Sequence, residues 1–138
     1  MNNTKTRINN SSLDDKSISN HYAIFLDTLP WTHFATFTTK LILSQNAAPR
    51  LATKIASQIN AQMPTNHLKM FWVAEAFKSG DGYHLHILLY SPRNHDINRL
   101  KLWYENSHGF CKILPKRGPA SAYVVKFIHK EQTEYGLI

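Results

Sequence analysis

Between Phe71 and Tyr90 the chain reads FWVAEAFKSGDGYHLHILLY, two apolar runs joined by Lys78-Ser79-Gly80-Asp81. A polar, glycine-containing turn between two alternating runs signals a β-hairpin, and this hairpin constrains the fold more than any other stretch. Side chains alternate along a strand, so His84, His86, Leu88 and Tyr90 share one face and Leu85, Ile87 and Leu89 the other. On the incoming strand Val73, Glu75 and Phe77 lie together. With residues 78–81 as the loop, Phe77 pairs with Gly82 and Glu75 stands opposite His84, their Cβ atoms about 5 Å apart. His86 is then diagonal to Glu75. Two imidazoles and a carboxylate converge as a facial set of three ligands with open positions. Such a set suits Mg²⁺, Mn²⁺ or adventitious Zn²⁺, with room for a phosphate or water. The plainer alternative is two histidines facing water, and a one-residue slip in pairing would put Glu75 on the wrong face.

The chain has 138 residues, room for one domain and one core. Its hydrophobic content of 43% and aromatic content of 12% indicate a globular body. No apolar run approaches the roughly 20 residues that span a bilayer, so no membrane partner is expected. A single cysteine, Cys111, excludes an internal disulfide and reads as a small strand residue. The formal charge is +7, and it is concentrated. From Arg99 to Lys130 there are seven basic residues against one acidic residue, Glu105, a net +6. A basic stripe of this kind marks a polyanion partner, nucleic acid first, or else an ordinary solvated surface.

Residues 1–20 are rich in Asn, Ser and Thr and read as a mobile N-terminal arm, leaving 21–138 as the domain. The segment His21–Leu29 reads as a short helix or lead-in, limited by Pro30. Trp31–Lys40 alternates as a strand, with Ala35 and Phe37 on one side and Thr36 and Thr38 on the other. Those hydroxyls can serve a phosphate backbone, or the threonines can simply be good strand residues. Residues 49–62 read as a helix from Leu51, Ile55 and Ile59, ended by Pro64. After the hairpin, Asp96 is the expected N-cap of a helix to about Tyr104, and Phe110–Leu114 a strand closed by Pro115. Lys116-Arg117-Gly118-Pro119 is a basic turn that opens a final helix. On it Tyr123, Lys126 and Lys130 share one face, apart from Val124, Val125 and Ile128. Lysines beside a phenol lower its pKa or screen a phosphate it attacks; an amphipathic helix with an interfacial tyrosine is the other reading.

Taken in order, ATFTT at 35–39, Glu75 with His84-Leu85-His86, and Tyr123-Val124-Val125-Lys126 resemble the motifs of the HUH endonucleases. Among these, the chain is most similar to the single-tyrosine Rep proteins of rolling-circle replication, over residues 31–131. The resemblance implies an α+β fold, a central antiparallel sheet of about five strands with flanking helices in a ferredoxin-like, RRM-like arrangement. It implies Mn²⁺ or Mg²⁺ held by Glu75, His84 and His86, Tyr123 as the nucleophile on single-stranded DNA, and Lys126 as a group that orients the phosphate. It further implies nicking and joining through a 5′-phosphotyrosine link, with Thr36, Thr38, Lys116, Arg117 and Lys130 on the nucleic acid. A helicase domain or host replication proteins are the implied protein partners, in the cytoplasm, or in the nucleus for a eukaryotic virus. Two rivals stand beside it. A small single-tyrosine HUH transposase would use Gln132 as a third ligand. A non-catalytic single-strand-binding domain would stack bases on Phe34, Phe37 or Trp72.

Overall fold

The structure, a computed structural model, describes residues 24–62, 70–91, 93–119 and 134–138. The N-terminal arm expected at 1–20 and the helix expected around Tyr123, Lys126 and Lys130 lie outside the described residues, as does Gln132. The elements run β1 (His33–Thr39), α1 (Ala48–Gln62), β2 (Met70–Ala76), β3 (Tyr83–Leu89), α2 (Asn94–Ser107), β4 (Gly109–Pro115) and β5 (Glu134–Leu137). The five strands form one antiparallel sheet in the order β4-β1-β3-β2-β5. This is the α+β architecture expected, and its first six elements follow the ferredoxin-like βαββαβ sequence. The strand β5, which adds to the free edge of β2, has no counterpart in the sequence reading.

The sheet's two faces differ because each strand alternates differently. On one face Ala35, Phe37, Met70, Trp72, Ala74, Leu85, Ile87, Leu89 and Cys111 form the main core with both helices. From α1 come Leu51, Ile55 and Ile59, the expected i, i+4, i+8 stripe, with Ala52 and Ala56 between them. From α2 come Ile97, Leu100 and Tyr104. The Tyr104 ring meets Phe37 edge-on at 4.8 Å, and its hydroxyl donates to the Thr38 carbonyl at 3.0 Å. Burial holds that hydroxyl above its ordinary pKa, so it stays a donor throughout the physiological range.

Three expectations change here. Asp96 is not the N-cap of α2: the helix begins at Asn94 with Arg93 as the cap residue, and Asp96 sits in the first turn. There it is buried, ion-paired with Arg93 at 3.3 Å, and faces the positive end of the helix. Tyr90 lies one residue past β3 and packs against the helix-side core, not beside His84 and His86. Phe37 and Trp72 belong to that same core, 0% and 5% exposed, and present no ring for a base to stack on.

Cys111 lies in a strand as expected and is buried there, and burial pushes its thiol up to about 11. Relative to the ordinary value of 9.0, that leaves about a hundredfold less thiolate at pH 8. Alkylation by iodoacetamide at pH 8 should therefore be slow in the native protein and fast in urea. Rapid native labelling would contradict the packing of β4 against α2.

The opposite face of the sheet is apolar at one end only. A helical turn at residues 24–27 lays Leu26 against Phe71, Val73 and Leu88, joined by Trp31, whose indole N–H donates to the Leu26 carbonyl at 2.8 Å. This agrees with the lead-in expected before Pro30. Among the described residues no helix is long and apolar enough to cross a membrane.

Candidate metal centre

The polar end of that face is set by strand register. β2 pairs with β3 so that Glu75 opposes His84 and Val73 opposes His86. The turn closes with the Phe77 N–H donating to the Gly82 carbonyl at 3.0 Å, so residues 78–81 are the loop and the pairing is the one the sequence suggested. No slip occurs. The reason is visible on the other face: moving the register by one would take Leu85, Ile87 and Leu89 out of the main core.

The three side chains meet closely. Glu75 Oε1 lies 2.8 Å from His86 Nε2 and 3.3 Å from His84 Nε2, and the two Nε2 atoms are 3.0 Å apart. Each residue thus offers one ligand atom to a common point. Three donors at right angles around an ion at roughly 2.1 Å would be about 3.0 Å from one another. The observed spacings fit a facial set, and the donor chemistry, two imidazoles and a carboxylate, suits a divalent ion. The side chains are 20% (Glu75), 14% (His84) and 11% (His86) exposed, so the cluster is largely buried with a narrow opening to solvent.

A second layer fixes the rings. Thr36 faces His86 across β1 and β3, and its Oγ1 is 3.4 Å from His86 Nδ1. The Phe34 ring lies nearly parallel to His86, 8° between planes at 5.8 Å, and the Phe77 ring sits 4.5 Å from that of His84. Partners on the far nitrogen of a ligating histidine orient its ring and raise its basicity. The sequence reading assigned Thr36 to the nucleic acid; the structure places its hydroxyl beside the imidazole of His86.

The other expected residues are spread more widely. Thr38 lies on the same face as Thr36, in line with Phe110 on β4. Lys116 and Arg117 follow the far end of β4, where the Lys116 N–H donates to the Thr32 carbonyl at 2.8 Å. Thr32 is four residues from Thr36, the β1 residue beside His86, about 13 Å along the strand. So the basic turn stands apart from the metal centre.

Phe34 and Phe77 were not assigned a place at the site in the sequence. For Phe77 the signal was present, because alternation already put it on the face of Glu75. For Phe34 it was not, since its approach to His86 depends on how β1 pairs with β3.

The sequence profile of the Replication-associated protein ORF2 family matches residues 32–132, most of the chain and all the elements from β1 to β4. No curated protein and no solved structure gives a significant match.

Proposed function

The chain belongs to the Replication-associated protein ORF2 family, and from that premise we propose that it initiates replication by nicking and rejoining single-stranded DNA with Tyr123. The observation that carries this reading is the convergence of Glu75, His84 and His86 on one point in a chain of this family. Those three residues would hold Mn²⁺ or Mg²⁺, and the ion would supply Lewis-acid polarisation of the scissile phosphodiester.

The remaining roles belong to the protein. The Tyr123 phenol oxygen attacks phosphorus in line, its proton passing to solvent, and a phosphorus–oxygen bond to tyrosine forms. The bond from phosphorus to the 3′-oxygen breaks. That oxygen keeps the electron pair, takes up a proton and leaves as a 3′-hydroxyl, with the 5′-phosphate on the tyrosine. Attack by another 3′-hydroxyl reverses the step and joins strands. Lys126, three residues after Tyr123, stabilises charge that develops on the phosphate. Thr36 keeps the His86 ring in place, while Thr38, Lys116, Arg117 and Lys130 take the flanking backbone. Residues 21–138 form the nuclease domain, acting in the cytoplasm or, for a eukaryotic virus, in the nucleus.

Covalent capture tests this. The protein is mixed with a pool of single-stranded oligonucleotides and Mn²⁺, and the products are run on a denaturing gel. An adduct that disappears with EDTA and with Tyr123→Phe is the expected result. Tight binding without any adduct would replace nicking by simple single-strand binding.

A further inference from the structure

The hairpin turn carries two residues for which the nicking chemistry has no use. An open surface cavity of about 540 Å³ lies beside the metal centre, lined by Glu75, Ala76, Phe77, Lys78, Ser79 and His84. That volume is in the range of sites that hold small molecules or single nucleotides. Two of its walls are candidate metal ligands, so anything bound in it touches the position where a scissile phosphate would sit. Another wall is the Phe77 ring, 36% exposed and tilted 38° to the His84 imidazole. The Lys78 side chain next to it is exposed. Among the lining residues the one acid is Glu75, which belongs to the metal centre.

The turn is also braced. The Gly80 N–H donates to the Phe77 carbonyl at 2.9 Å, and the Tyr83 N–H to the Leu43 carbonyl at 2.9 Å. A Cβ at Gly82 would lie 2.8 Å from the Ile42 side chain, so the 41–43 loop is packed directly on the hairpin. Phe77 and Lys78 therefore project from a fixed frame. An aromatic face next to an ammonium group is the pairing by which proteins hold single strands, the ring stacking a base and the cation meeting a phosphate.

We infer that this cavity is the subsite for the nucleotide flanking the scissile phosphate, with Phe77 stacking its base and Lys78 pairing with the next phosphate. The inference rests on the proposed nicking function and adds to it the residues that position the substrate.

The test uses the oligonucleotide recovered by covalent capture, remade with an abasic residue on either side of the nick. Each form is assayed with wild type, Phe77→Ala, Phe77→Trp and Lys78→Gln, and Mn²⁺ affinity is measured separately without DNA. At one of the two positions, loss of the base and Phe77→Ala should each raise KM roughly tenfold, the scale of one lost stacking contact. Combined, they should do no more than either alone. Phe77→Trp should restore the wild-type KM, and the Mn²⁺ affinity of each variant should change far less than its KM. Lys78→Gln should reduce the salt dependence of binding by about 0.7 in the log–log slope, the contribution of one phosphate contact on a single strand. Additive losses, or a fall in Mn²⁺ affinity in Phe77→Ala that matches its loss of activity, would overturn the inference and leave Phe77 as packing for His84. A wild-type protein that forms no adduct with any oligonucleotide would overturn the nicking function and this subsite with it.

Discussion

His86→Ala is expected to remove Mn²⁺ binding and metal-dependent cleavage together, whereas Tyr123→Phe removes the adduct and leaves Mn²⁺ binding intact. His86 is held from several sides. Glu75 Oε1 stands 2.8 Å from its Nε2, Thr36 Oγ1 3.4 Å from its Nδ1, and Phe34 lies parallel to its ring. Such a ring is already aimed at the common point, so little reorganisation is needed on binding. Losing it takes away one of three donors and the orientation of the remaining two. Mutation of an outer partner such as Thr36 typically weakens metal binding roughly 10–100-fold, so the ligand itself should exceed that range. Thr36→Val is the natural comparator and should fall within it. Calorimetric titration of Mn²⁺ into each variant gives the affinities, and the denaturing gel gives the adducts. His86→Ala protein with wild-type Mn²⁺ affinity would show that the cluster is not a metal centre.

The second large effect concerns the fold. Gly109→Ala should destabilise the protein by about 3 kcal/mol, at the upper end of what overpacking costs. A Cβ at this position would lie 2.1 Å from the Thr38 carbonyl oxygen and 2.8 Å from the Thr39 Cα. Both are backbone atoms, so no side-chain rotation relieves the overlap. Either the end of β4 separates from β1 or the tight passage from α2 into β4 opens. The same Thr38 carbonyl accepts the Tyr104 hydroxyl, so the strain also reaches the contact that ties α2 to β1. Gly80→Ala is the control. Gly80 has φ of 84° but no atom near its absent Cβ, and its substitution should cost only about 1 kcal/mol, the conformational penalty of a left-handed residue. Urea unfolding of both variants decides the matter. If Gly109→Ala is no less stable than Gly80→Ala, the close approach of β4 to β1 is wrong.

Local patterns carried much of this protein in its sequence. The hairpin was legible because alternation, a polar turn and four loop residues specify a register without reference to the rest of the chain. Glu75, His84 and His86 followed from that register alone. The helix α1 was legible from Leu51, Ile55 and Ile59, since one helical period defines its buried stripe. The start of α2 was misplaced by three residues because Asp96 is as suitable for the first turn of a helix as for its cap, and only its burial against Arg93 separates the two.

What the sequence by itself determined, then, is the elements from β1 to β4 and the three residues that meet at one point, because strand and helix periods act between near neighbours. What only the tertiary structure decided is which strands lie side by side. That β1 sits against β3 brings Thr36 and Phe34 to His86, and that β5 closes the edge of β2 completes the sheet. The same packing against the helices takes Phe37 and Trp72 out of reach of any ligand. These outcomes depend on burying one face of the whole sheet at once, a condition on residues far apart in the chain that no local period expresses.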